Sequence, residues 1–337
     1  MTVSVDPKQA HIISAWKHDR PLNSVRIDPQ ARYVVGVSED AVASRFQWSD
    51  GARTVMEGGF QGWGRALAFS TDGKFVITGS TDGNITWWET AAESPMVVRS
   101  QKAHKGWVRC MHNNADGTLI ATGGNDNLVR VWNAESGELK FDLNGHEKHI
   151  YSLMFHPNGQ WLLSGDLKGV IRQWDLATGK EMRTFDAGKL YSYHGGQRVD
   201  YGGVRSLALS PDGNQLAAGG LFEAPNPFAG VNKPLILVFD WESQEIKHEY
   251  VTDAVERGVI WRLAWLADGS LMGVSSGTAG MLLFWKPDKA GDFHRFKLPN
   301  QARDMDLHPD GIHVATAHHD AHVRITRLAA KVVDEKA

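Results

Sequence analysis

At 337 residues, with 42% hydrophobic and 22% charged residues, the chain has the composition of a globular protein with an ample core. A formal net charge of −3 excludes nucleic-acid binding driven by overall positive charge. The single cysteine, Cys110, excludes an internal disulfide framework and fits a reducing compartment. The opening residues, MTVSVDPKQAHIISAWK, carry no apolar core of signal-peptide length, and no stretch approaches the about 18 apolar residues of a membrane span. The expectation is a cytoplasmic protein, monomeric on its own, with no membrane and no nucleic-acid partner.

In chain order, the first element is a short strand at about 10–17, His11-Ile-Ile-Ser-Ala-Trp16, with no neighbouring strand to pair with. From there the chain repeats, and self-similarity of this kind decides the whole fold. A marker recurs at Phe46, Trp88, Trp132, Trp174, Phe239, Trp285 and Thr326, at intervals of 42, 44, 42, 65, 46 and 41. The units span about 18–57, 58–101, 102–144, 145–187, 188–251, 252–297 and 298–330, followed by a mobile tail at about 331–337. Each holds a turn pair between short apolar runs: Asp28-Pro29, Asp72-Gly73, Asp116-Gly117, Asn158-Gly159, Asp212-Gly213, Asp268-Gly269 and Asp310-Gly311. Asp-Gly and Asn-Gly are hairpin signals, because these residues tolerate the positive φ of a tight turn. No comparable stretch has helical periodicity, so the fold class is all-β.

The best-preserved units run from Ala103-His104 to Trp132-Asn133 and from Gly145-His146 to Trp174-Asp175. In spacing and residue type they resemble the WD-repeat family of β-propellers, over essentially residues 10–328. The resemblance implies a single seven-bladed β-propeller with four antiparallel strands per blade and the N-terminal strand closing the last blade. It also implies a structural role for His104, Thr122, Asp126 and Trp132, which in that family are joined by hydrogen bonds. Unit four keeps His146, Ser164 and Trp174 with Lys168 in place of the Asp; unit two has Phe60 in place of the His.

Each innermost strand of such a ring begins with an apolar or small anchor: Leu22, Gly64, Val108, Ile150, Val204, Ile260 and Ala302. Alternation turns the flanking residues away from the anchor, and the resemblance implies that these flanks lie on a partner-binding top face. Before the anchors stand Pro21, Trp63, Trp107, His149, Gly203, Val259 and Gln301; after them stand Asn23, Arg65, Arg109, Tyr151, Arg205, Trp261 and Arg303. Four of the seven following positions are Arg and none of the fourteen is acidic, a local reversal of the chain's overall sign. Arg beside Trp and Tyr is the composition of binding hot spots. The alternative is a ring of guanidiniums paired with loop carboxylates such as Glu39 or Asp304.

The long interval holds two insertions, 188–203 and 222–234, expected to rise on the face of the ring. They offer Tyr193, His194, Arg198, Asp200, Tyr201, Phe222 and Phe228, on loops where function concentrates. No phosphate-cradling loop, catalytic spacing or metal motif accompanies them: Gly123-Gly124 and Gly219-Gly220 read as repeat turns, and His318, His319, Asp320 and His322 read as part of the seventh unit. The expected function is a non-catalytic interaction scaffold that binds a protein or peptide, an acidic one included, through the Arg and aromatic face, with no cofactor and no metal. The competing reading is a small-molecule-binding or hydrolytic propeller using a pocket near the two insertions.

Overall fold

The computed structural model describes residues 4–70, 72–226, 231–252, 255–287 and 289–331. Phe228 and most of the expected tail lie outside the described residues. Seven four-stranded antiparallel sheets follow one another along the chain, each a meander from an innermost to an outermost strand. The innermost strands are Leu22–Ile27, Gly64–Phe69, Val108–Asn113, Ile150–Phe155, Ser206–Leu209, Val259–Trp265 and Ala302–Leu307. Each contacts the innermost strand of the next sheet, and the last contacts the first. That is a closed seven-bladed propeller.

Closure uses the isolated N-terminal strand. His11–Lys17 pairs antiparallel with His322–Arg327, from His11 opposite Arg327 to Lys17 opposite His322. It supplies the outer strand that blade seven lacks and so removes an open edge. Trp16 on this strand stacks on Phe46 of blade one, with ring centroids 5.9 Å apart. The closing strand therefore fastens the seventh blade to the first as well as completing it.

The apolar core is distributed between blades. Seven buried clusters form, each drawing on two neighbouring blades. At the centre of this packing lies a steric fit between anchors and the second strand of the preceding blade. A Cβ on Gly79 would lie 2.6 Å from Val108, one on Gly123 2.6 Å from Ile150, one on Gly165 2.6 Å from Val204, and one on Gly219 2.6 Å from Ile260. The anchors thus fill space that a missing side chain leaves. Where the anchor itself is Gly64, the facing residue of blade one is Val37, and the fit is inverted. Leu22 packs in the same cluster as the small Ala317 of blade seven. Val108, Ile150, Val204 and Ile260 have no exposed surface, and burying each stabilises the ring by about 1.5–3 kcal/mol. Gly123 and Gly219 are accordingly not turn residues: they sit within the strands Leu119–Gly124 and Gln215–Asn226.

Buried hydrogen bonds tie the inter-blade loops down. His104 Nδ1 is bonded to Asp126 at 2.7 Å and its Nε2 to Thr122 at 2.8 Å, while Trp132 Nε1 donates to Thr122 at 2.9 Å. In blade four the absent acid is replaced from within the strand, since His146 Nδ1 meets Asp166 at 2.8 Å. Its Nε2 meets Ser164 at 2.7 Å, and Trp174 donates to the same hydroxyl at 2.7 Å. Blade seven reaches a similar end from another position. His318 lies on the strand itself and bonds Thr316 at 2.8 Å and the Asn300 carbonyl at 3.0 Å. Burial pushes the His318 imidazole down to about 4, so it stays neutral at physiological pH. The neighbouring Asp320 accepts two hydrogen bonds from Arg324, at 2.8 and 2.6 Å.

The anchor-to-glycine fit predicts a compensating pair. Gly79→Val alone overpacks Val108 and is expected to cost about 1–3 kcal/mol, and Val108→Gly alone to cost a similar amount through the cavity it opens. Gly79→Val with Val108→Gly reproduces the Val37/Gly64 arrangement and should recover most of the loss. Urea denaturation of the four proteins measures this; simple addition of the two losses would contradict it.

Candidate functional site

The inner strands do not begin as regular ladders. In six blades the register slips at the residue after the anchor: at Asn23, Arg65, Arg109, Tyr151, Trp261 and Arg303. A β-bulge leaves its extra residue unpaired and re-aims its side chain. Here the re-aimed side chains line the channel mouth together with Arg205 of blade five. Simple alternation, on which the sequence reading relied, is therefore not what turns these residues inward. The residues before the anchors stand outside them on the rim, where Trp63 is 45% and Trp107 is 36% exposed. His149 is held there by Asn127, 3.2 Å from its Nδ1.

Cations and rings alternate around most of the mouth. The Arg65 guanidinium lies 5.7 Å from the Trp107 ring centre and Arg109 lies 5.0 Å from it. Arg109 also lies 4.5 Å from Tyr151, and Arg205 lies 3.9 Å from Tyr151 and 5.5 Å from Trp261. These are cation–π distances. Trp261 is fixed in turn by a hydrogen bond from its Nε1 to Ser276.

The mouth is electrostatically lopsided. Arg303 is paired with Glu39 at 2.5 Å and donates to Asn23 at 2.9 Å, the internal pairing expected as the alternative. Arg65, Arg109 and Arg205 have no carboxylate partner among the described residues. Arg109 spends its Nε on the neutral Asn125. The Nε atoms of Arg65 and Arg205 are buried without any acceptor. Burial and the neighbouring Arg109, Arg205 and Arg303 push Arg65 down to about 10, and burial lowers Arg109 and Arg205 as well. All three remain charged at neutral pH.

Deeper in the channel the charges are compensated. Asp304 accepts from Arg26 at 2.7 Å and from Ser24 at 2.5 Å, with Arg262 4.0 Å away, while Asp306 accepts from the Ile27 amide at 2.8 Å. This acid–base floor was not anticipated from the sequence, although Arg26, Asp304, Asp306 and Arg262 recur close behind the anchors. Cys110 lines the same channel, and burial pushes its thiol up to about 12. His112 is pushed down to about 3 by burial and by Arg262 and Arg26, and so is neutral.

Both insertions of blade five are hairpins. Tyr191–His194 pairs with Val199–Gly202 around a turn at 195–198, and Gln215–Asn226 pairs with Val231–Asp240 as an extended ribbon beside it. Tyr193 lies opposite Asp200 and His194 opposite Val199, so alternation puts His194 and Tyr201 on one face and Tyr191, Tyr193 and Asp200 on the other. Asp200 is committed: Lys148 donates to it at 2.7 Å and the Tyr191 hydroxyl at 2.6 Å. Tyr193 is exposed, Arg198 sits in the turn with φ 53°, and Phe222 packs against the core of blades four and five. The sequence reading also passed over His308, Asp310 and His313, whose ligand atoms lie within 4.8 Å of one another. These atoms are engaged in a turn: Asp310 Oδ2 bonds His313 Nδ1 at 2.6 Å, and the Arg327 guanidinium stands 3.2 Å from His313 Nε2, where it opposes a bound cation.

Comparison with known proteins matches the family described as "WD domain, G-beta repeat" to residues 64–89, 96–133, 137–175 and 190–221. The chain is 26% identical over 167 residues to the small ribosomal subunit protein RACK1y of Oryza sativa subsp. japonica, covering 48% of this chain and 42% of that one. It is 26% identical over 195 residues to the nuclear distribution protein nudF of Emericella nidulans, covering 51% and 44%. With the periodic tryptophan protein 2 of Arabidopsis thaliana it shares 28% over 211 residues, 62% of this chain and 22% of the relative. The chain thus matches less than half the length of each of these relatives.

A channel thiol held near 12 is a testable property. At pH 8 only about one part in ten thousand is thiolate. Cys110, half-buried on the channel wall, is expected to react with a thiol-reactive disulfide reagent far more slowly in the folded protein than in denaturant; equal rates would contradict the raised thiol.

Proposed function

Because the chain is a WD-repeat β-propeller, we propose that it is a non-catalytic interaction scaffold that binds a protein or peptide partner, preferentially an acidic one, through the face carrying the channel mouth. The observation that carries this reading is the rim pair Trp63 and Trp107, 45% and 36% exposed on neighbouring blades, with Arg65 and Arg109 against the Trp107 ring and no carboxylate partner for either among the described residues. Large rings next to Arg are the anchors of binding hot spots, and water-excluding contact around them supplies the affinity. Relatives named as a small ribosomal subunit protein and a nuclear distribution protein support work within assemblies. The proposal includes a cytoplasmic propeller, monomeric until its partner binds and without a nucleic-acid partner. It rests there on the net charge of −3 and on the single thiol. No helix of the described residues is long and apolar enough to cross a membrane.

The hydrolytic alternative fares worse on geometry. His194 and Asp200 occupy opposite faces of their hairpin, and Asp200 is bound by Lys148 and Tyr191. A general base and its orienting acid need one shared site.

Truncating two rim anchors should remove most of the affinity while leaving the fold intact, since both rings are substantially exposed. Trp63→Ala/Trp107→Ala and Arg65→Glu/Arg109→Glu are each expected to lose, by about thirtyfold or more, the partner that the wild-type protein captures from its native cytosol. Mass spectrometry of the captured proteins identifies it. An unchanged set of partners in both variants would overturn the reading.

A further inference from the structure

The unpaired side of the mouth has a more specific chemistry. Arg65, Arg109 and Arg205 come from blades two, three and five, and each lays its guanidinium against an aromatic ring. Contact with a ring occupies the face of a guanidinium and leaves its in-plane N–H donors available. Two of those donors, the Nε atoms of Arg65 and Arg205, are buried with nothing to accept from them. A buried donor without an acceptor is costly, and two of them aimed into one cation-rich channel are explained by an anionic ligand that supplies the acceptors.

We propose that Arg65, Arg109 and Arg205 form a receptor for a phosphoryl group, a dianionic tetrahedral oxyanion. Resting on the interaction-module reading, that group is carried by a phosphorylated segment of the partner. Charge and shape both favour it over a carboxylate. Three uncompensated cations face the mouth, whereas a carboxylate brings one charge and two acceptor oxygens. A phosphate monoester brings nearly two charges and three oxygens directed to three sides, and Arg forks match those oxygens. Arg26 and Arg303 show that this fold supplies carboxylates to its arginines where they need only a structural partner, as with Asp304 and Glu39. At the other three guanidiniums it supplies none among the described residues. The channel cavity of about 90 Å³, which Asp304 also lines at its floor, has room for a small oxyanion. It falls well below the about 300–1,000 Å³ of sites that take nucleotide- or drug-sized molecules. Trp63 and Trp107 on the rim would then flank the chain that carries the phosphate.

The site is tested with the full chain by isothermal titration at constant ionic strength. The probes are inorganic phosphate, acetate, a phosphoserine peptide with its unphosphorylated copy, and a single-stranded RNA. Phosphate should bind measurably and acetate far more weakly. The phosphoserine peptide should bind at least about tenfold tighter than its unphosphorylated copy, the effect of about one charge-assisted hydrogen-bond pair. Arg65→Gln and Arg205→Gln should each weaken phosphate binding by about tenfold or more. Arg53→Gln, which breaks a remote pair with Asp19, should leave it unchanged. Both mouth variants are expected to melt no lower than wild type, because like charges buried together oppose folding. Acetate binding as tightly as phosphate, RNA displacing the phosphopeptide, or Gln variants that bind phosphate normally would each overturn the proposal. Absence of phosphate binding by the wild-type protein, with Trp63 and Trp107 still needed for partner capture, overturns the receptor and leaves the scaffold reading standing.

Discussion

The ring depends on a steric constraint: at four of its seven inner strands the anchor occupies the space of a side chain that the preceding blade does not have. Val108 on Gly79, Ile150 on Gly123, Val204 on Gly165 and Ile260 on Gly219 set the distance between successive inner strands. Protein interiors are close-packed, so such contacts are felt to within one methylene. Where blade two begins with Gly64, Val37 compensates, and the spacing is kept with the bulk on the other side. Because anchors are fixed in this way, the residue directly after each one arrives at the same height around the axis. In the six blades other than blade five, a bulge at that residue then turns its side chain into the mouth. Packing thus determines the geometry of a polar site that shares none of its atoms.

Electrostatics divides that site in two. On the side of blades seven and one, Glu39 and Asp304 answer Arg303 and Arg26, and the charges close on themselves. On the side of blades two, three and five the cations meet the faces of Trp107, Tyr151 and Trp261 and the neutral Asn125, and no carboxylate among the described residues. A ring face holds a guanidinium in place without consuming its donors, whereas a carboxylate consumes them. The difference between a structural arginine and one available to a partner is therefore the identity of its nearest neighbour. The same channel keeps Cys110 protonated and His112 neutral, which leaves the three arginines as its chemically distinctive groups.

Much of this was legible in the sequence because repetition amplifies weak signals. One Asp-Gly pair is a turn hint; turn pairs recurring with the Trp markers fix an all-β ring, and the unpaired strand around His11 finds its place in the last blade. The mouth residues were also legible, since the anchors locate them. Three features were not. The bulge has no local sequence mark, as Arg, Tyr, Trp and Asn all occupy it. Gly123 and Gly219 looked like turn glycines because their partners Ile150 and Ile260 lie one blade away. Asp166 replaced the acid that Lys168 displaced, because a carboxylate two residues earlier reaches the same imidazole. The pairing of Arg303 with Glu39, 264 positions apart, was among the sequence's own alternatives; which of the four arginines would take it was not legible.

The central claim is that packing presents three guanidiniums at one mouth, their faces against aromatic rings and none of them paired with a carboxylate. A high-resolution crystal structure of the unliganded protein, grown from chloride alone, tests it most directly. The account predicts Arg65, Arg109 and Arg205 against Trp107, Tyr151 and Trp261 with no carboxylate at ion-pair distance. Acidic side chains closed onto these three arginines, or guanidiniums swung away from the rings into solvent, would contradict it.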